Sequence, residues 1–205
     1  KIQDRERTRM RKDRRQATAM IFFVVVIAGV GAATGLLFML LHNGLVLGEE
    51  NVSKAWADIE MFLQRKLDLL PALAQAAEAG AAHERDTLSS VIEARTKAHD
   101  VLMRDGEKAP DDGESMDAVA SSGRALSEAF RSLSALAESY PEIKTDEAFL
   151  LLQQETAHTE NMIAGARKKY NECVRIFNTA MQWFPSNMAA SVGGFKVKQY
   201  YEREA

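Results

Sequence analysis

Residues 149–184 read FLLLQQETAHTENMIAGARKKYNECVRIFNTAMQWF. Phe149, Leu152, Thr156, Thr159, Ile163, Ala166, Tyr170, Cys173, Phe177, Ala180 and Phe184 recur at alternating steps of three and four residues. Such steps lay a single seam along a helix, and a seam needs other helices to cover it. Met116, Val119, Gly123, Leu126, Phe130, Leu133, Ala137 and Tyr140 repeat the pattern. Trp56, Ile59, Leu63, Leu67, Leu70, Ala74 and Ala77 form a third seam. Leu88, Val91, Ala98 and Leu102 form a fourth, interrupted by Arg95. Four seams predict an all-α fold, an antiparallel four-helix-bundle-like domain over residues 43–184.

Local chemistry predicts where the helices stop. Gly80 can end the first, and Pro71 offers an earlier break. Residues 104–114 combine Gly, Pro and Asp and read as one long loop. Tyr140-Pro141 ends the third helix, because proline disfavours helical geometry in the residue before it. The predicted helices are 45–79, 82–103, 115–140 and 145–184. The tail, 185–205, is too glycine-interrupted to prolong the last one.

The composition agrees. With 205 residues there is room for one ordinary domain and something small. Apolar residues at 46% exclude a disordered chain, while a mean hydropathy of −0.24 excludes a polytopic membrane protein. One cysteine excludes an internal disulfide framework.

The net charge of −3 is unevenly spread. Residues 1–16 carry eight Lys/Arg against three Asp/Glu, and residues 42–205 carry 18 against 26. Between them, Ala17 to Leu41 are 25 residues without a charge. At 1.5 Å per residue this is about 37 Å, enough to cross a bilayer core of about 30 Å. The apolar run is too long for a signal peptide and lacks a small-residue cleavage site behind it, so an uncleaved transmembrane helix over 17–41 is expected. The basic segment 1–16 before it places the N-terminus in the cytoplasm and the bundle on the periplasmic or lumenal side. Within the anchor, Gly31 and Gly35 have the spacing that lets two membrane helices approach closely.

Several stretches resemble the LemA family. They begin with Asn51-Val52-Ser53-Lys54-Ala55-Trp56-Ala57-Asp58-Ile59 and Gln64-Arg65-Lys66-Leu67-Asp68-Leu69-Leu70-Pro71, followed by His83-Glu84 and Glu93-Ala94-Arg95. Next come Ser139-Tyr140-Pro141-Glu142-Ile143-Lys144, Glu160-Asn161-Met162-Ile163 and Ala166-Arg167-Lys168-Lys169-Tyr170-Asn171. The series closes with Phe177-Asn178, Phe184-Pro185-Ser186-Asn187 and Gly194-Phe195-Lys196. The resemblance covers roughly residues 45–201. It implies an N-terminally anchored bacterial membrane protein with a helical bundle, and it supplies no reaction. The longer basic N-terminus and the acidic Pro-Asp-Asp-Gly loop depart from the family pattern.

Catalytic chemistry finds little support. Glu155-Thr156-Ala157-His158 has the Glu-x-x-His spacing of a di-iron bundle, but that site needs a second copy, and no other histidine has a glutamate three residues before it. His83 and His99 stand sixteen residues apart, about 24 Å along a helix, too far to share an ion. Cys173 on the seam reads as a buried inert thiol. No catalytic triad or phosphate loop appears, and no cofactor is expected. The acidic soluble part is a poor candidate for nucleic acid.

The reading that remains is a membrane-anchored, non-enzymatic interaction or scaffold protein of the bacterial envelope or an internal membrane. The alternative is an accessory or sensor subunit for another envelope protein, and a metal-dependent bundle enzyme ranks below both. The helix lengths predict a membrane-proximal stalk in which Val52, Trp56, Phe177, Ala180, Trp183 and Phe184 are left partly uncovered. With Phe195, Tyr200 and Tyr201 of the tail, and Gly31 and Gly35, they form the expected self-association surface of a homo-oligomer. A tail folded back over its own stalk is the competing expectation. Arg95 and Arg167, paired with Asp58, Asp68, Glu84 or Glu160, are expected to form a structural polar layer.

Overall fold

A computed structural model describes the backbone of residues 2–201 and the side chains of residues 20–201. The described residues contain no strand. The helices are α1 (Ile2–Gly80), α2 (Arg85–Asp105), α3 (Gly113–Ser139), α4 (Pro141–Lys144), α5 (Glu147–Gln182) and α6 (Ser186–Gly193). The chain forms two compact units, Lys1–Gly44 and Leu45–Ala205.

The first unit carries the uncharged segment. From Met20 onward α1 is long and apolar enough to cross a membrane. Its large side chains from Met20 to Leu40 are exposed, as a lipid-facing helix requires. A side chain added at Gly31 or Gly35 would meet only open space.

The second unit is the bundle. The predicted seams face inward: Ile59, Leu63, Leu67 and Leu70 of α1, Met116, Val119, Leu126 and Leu133 of α3, and Phe149, Ile163, Tyr170 and Phe177 of α5 are all buried. Asp58 pairs with Lys169 at 2.8 Å and Arg65 with Glu155 at 2.9 Å, so partner numbers fall as α1 advances. Those two segments therefore run in opposite directions.

The ends follow from side-chain caps. Asp112 accepts from the Ser115 amide at 2.9 Å and starts α3, and Asp146 accepts from the Phe149 amide at 2.7 Å and starts α5. Pro71 lies inside α1 without ending it, and α1 stops at Gly80. A Cβ at Gly80 would come within 2.5 Å of Ile143 Cγ1, so only glycine lets α4 pack against this turn.

One expectation needs correction. The α5 seam slips near its end: Val174 and Asn178 are buried, Cys173 is only partly so, and Phe184 lies past the helix. A helix of 3.6 residues per turn drifts by roughly 20° per heptad against a strict seven-residue repeat. The tail, as expected, does not prolong α5, and it is ordered. Through a cis Phe184–Pro185 peptide it enters α6. Gly194 then turns the chain at φ 72°, and residues 195–201 run back over the bundle.

Candidate interaction surfaces

The tail is clamped by amides and hydroxyls. Asn178 donates to the Lys198 carbonyl at 2.9 Å and accepts from its amide at 3.0 Å. Asn171 does the same to Tyr201, at 3.0 and 2.9 Å. The Tyr170 hydroxyl donates to the Gln199 carbonyl at 2.7 Å, and the Gln199 amide donates to the Pro110 carbonyl in the α2–α3 loop at 2.8 Å. Lys198 Nζ bridges Asp111 and Glu49, both at 2.7 Å. Burial alone would lower the Lys198 pKa, but these two carboxylates outweigh it and hold the pKa above the usual lysine value. Burial pushes the phenols of Tyr170 and Tyr201 up.

This clamp closes the stalk that was expected to stand open. Val52, Trp56, Phe177 and Tyr201 are buried in the chain's own core, so they form no part of an exposed self-association face. Tyr170 and Tyr201 pack against the Trp56 ring, whose indole donates to the Gly106 carbonyl at 2.9 Å. Phe195 meets Phe177 edge-on. Ala180 is half-buried. Tyr200, Trp183 and Phe184 stay exposed, the last two at 70% and 80%.

A second group is buried between α1, α3 and α5. Lys66, 1% exposed, donates to Glu160, to the Ser127 hydroxyl at 2.6 Å and towards the Gly123 carbonyl at 3.5 Å. Burial lowers the Lys66 pKa, against the pull of Glu160. Nearby, the Arg167 guanidinium lies over the Tyr201 ring, 4.5 Å from its centre. Gly123 makes the room, since a Cβ there would stand 3.2 Å from Tyr201 Oη and 3.4 Å from Arg167 Nη2.

The expected polar layer is thus only partly assembled. Glu160 and Arg167 join the buried group, but the cation that Glu160 meets is Lys66. Asp58 makes a surface pair with Lys169, Asp68 accepts from Gln64 at 3.1 Å, and Glu84 accepts from the Tyr140 hydroxyl at 2.9 Å. The three carboxylates lie on outer faces or at a helix start, where water already solvates them. Lys66 was legible in one respect. It stands three residues after Leu63 and four before Leu70, on the seam spacing. Ser127 and Glu160 have the reversed spacing, four residues after Gly123 and Thr156 and three before Phe130 and Ile163.

Arg95 stands apart. With Leu70, Pro71, Ala74, Val91 and Ile92 it lines an apolar groove of about 380 Å³ between α1 and α2. Its Nε is buried and has no hydrogen-bond partner. His158 is exposed, and Glu155 of the same motif is engaged by Arg65. Among the described residues no three His, Cys, Asp or Glu side chains converge as metal ligands.

The sequence profile of the LemA family matches residues 55–205, almost three quarters of the chain and nearly the whole bundle unit. The chain belongs to the LemA family. No curated protein matches it at a significant level. The match takes in the Lys66–Glu160 group, the Arg95 groove and the tail clamp of this LemA bundle, and leaves the apolar segment outside. Family and apolar helix together make this a membrane-associated protein.

Proposed function

We propose that this LemA protein is a membrane-anchored, non-enzymatic interaction protein of the bacterial envelope or an internal membrane. It presents its bundle to other proteins on the periplasmic or lumenal side. The observation that carries this reading is the α1–α2 groove. Its floor is buried apolar surface from Leu70, Ala74 and Val91, and its polar feature is an arginine with an unsatisfied buried donor. An unmade hydrogen bond of this kind costs about 1–3 kcal/mol, which an incoming acceptor would return. A segment with apolar side chains and a carboxylate fits both features. The groove also lies far along the bundle. Pro71 is twenty-six residues beyond Leu45, where the bundle unit begins, about 39 Å of helix.

A scaffold assembled from copies of this chain is the first form of the proposal, and an accessory subunit on a different envelope protein is the second. A photo-crosslinking residue at Ile92, on the groove rim, separates them in the full chain in its membrane. An adduct of twice the chain mass supports the scaffold, and a single heterologous adduct supports the accessory subunit. Either must disappear with Arg95→Glu. No adduct, or one indifferent to Arg95→Glu, overturns the proposal. Stoichiometric iron, manganese or zinc in purified protein would count for an enzyme instead.

A further inference from the structure

The opposite end of the bundle has a different surface. Trp183 and Phe184 follow the last turn of α5, and Met188 and Val192 stand one turn apart on α6, at 60% and 75% exposure. The other face of α6, Ala189 and Ala190, is buried against the bundle. The chain thus ends a helix, adds a short amphipathic one and leaves its apolar side uncovered. Tyr200, Val197 and Lys196, all exposed, follow in the returning tail. A patch of this kind on a folded surface marks a contact site.

Chain reach identifies the occupant. The uncharged segment ends at Leu41, and Gly48 is seven residues on, at most about 25 Å even if fully extended. A Cβ at Gly48 would touch the Phe177 ring at 3.0 Å, and Phe177 is six residues before Trp183, about 9 Å of helix. Wherever the two units sit, Trp183 stays within a few tens of ångströms of the anchor's end. The tether gives this patch a standing high effective concentration of bilayer surface, so a weak contact suffices to hold it. The side chains suit that surface: an indole, a phenyl ring, Met and Val, with a tyrosine and a lysine beside them, each having an apolar body and, for Trp, Tyr and Lys, a polar tip for the headgroups. α6 resembles interfacial helices in its apolar face, though it lacks their rows of basic residues.

We infer that Trp183, Phe184, Met188 and Val192 form a second membrane contact, which seats the bundle on the bilayer that holds its anchor. The inference rests on the anchor reading and is separate from the groove. The chain has two tryptophans, Trp56, which is buried, and Trp183, so Trp183 emission follows by subtracting a Trp183→Phe variant.

The full chain is reconstituted into phosphatidylcholine vesicles, with or without lipid brominated near the head of the acyl chain, and aqueous iodide is titrated in. Docking predicts that Trp183 loses most of its emission to brominated lipid and is protected from iodide. Phe184→Glu, a change at an exposed site, should reverse both. Trp183 open to iodide and indifferent to brominated lipid overturns the contact. Trp183 shielded from both assigns the patch to a second copy and equally overturns it. Flotation with the vesicles tests the anchor by itself. A chain that fails to float overturns anchor and docking together, and a floating chain with iodide-accessible Trp183 overturns docking alone.

Discussion

Lys66 shows how unevenly a buried ion pair divides between its partners. Its side chain is 1% exposed, whereas Glu160 is 38% exposed. Glu160→Ala leaves a buried ammonium with only a hydroxyl and a peptide carbonyl, and it should cost about 3–5 kcal/mol in denaturant unfolding. Lys66→Met leaves a carboxylate that water reaches, and it should cost less, about 1–3 kcal/mol. The pH dependence has a definite sign. Burial lowers the Lys66 pKa, and without Glu160 nothing opposes it. Between that lowered value and the free-lysine value near 10.4, the unfolded chain binds more protons, so stability rises with pH. The Glu160→Ala deficit should therefore shrink as pH is raised towards about 10. A deficit that is constant or grows would mean that Lys66 is solvated in the variant and keeps its proton through this range. Phe177 and Trp183 give a simpler contrast. Phe177 is 1% exposed, and Phe177→Ala should cost about 3–5 kcal/mol. Trp183→Ala should stay within about half a kcal/mol in detergent-solubilised protein, measured by the same unfolding titration.

Among the elements, the tail was the least legible in the sequence and α3 the most. α3 carries a strong apolar stripe, an aspartate cap and a proline directly after it, all local signals. The α5 seam was legible until its drift exchanged Cys173 for Val174. Nothing local in 195–201 forecasts burial, because its hydrogen bonds go to Asn171, Asn178, Tyr170 and Pro110, between 20 and 89 positions distant in the chain. The same returning tail sets Tyr201 against Trp56 and Phe195 against Phe177, so the exposed stalk inferred from helix lengths was an error of tertiary structure. The clamp should open in alkali. Lys198, Tyr170 and Tyr201 all have pKa values raised by folding. The folded chain thus holds more protons above about pH 10, and stability falls as pH rises through the folded values. Lys66 works in the opposite sense, but it sits outside the clamp's own hydrogen bonds. We expect tyrosinate absorbance to appear late and together with new protease cleavage in 195–201. Asn178→Ala, which removes two hydrogen bonds, should lower the pH at which both occur. Cleavage at neutral pH in the parent chain, or an unchanged threshold in the variant, would show that these groups do not hold the tail.

For the whole molecule, charge decides more than packing does. Eight basic residues precede the uncharged segment, and Glu49 and Glu50 are the first charges after it. Lys and Arg near an anchor stay in the cytoplasm, because carrying them across the membrane is the unfavourable step during insertion. The bundle that follows carries an excess of acidic residues, which oppose neither orientation strongly. The sequence thus carries an argument for topology and for an uncovered Trp183 and Phe184, while the groove at Arg95 had to be found in three dimensions. The α2–α3 loop reports the outcome, since Lys108 is exposed there. Trypsin added to intact spheroplasts should cut at Lys108 and split the bundle into two fragments, the N-terminal one still anchored. Replacing Arg11, Lys12, Arg14 and Arg15 with Asn halves the basic residues before the anchor and leaves Arg9, eight positions before Ala17, as the nearest, so the bias weakens. That variant should populate both orientations, with a fraction of its loops cut only after the inner membrane is broken. If the parent loop resists trypsin until lysis, the bundle lies in the cytoplasm. The groove's partner and the bilayer face met by Trp183 would then both have to be sought there.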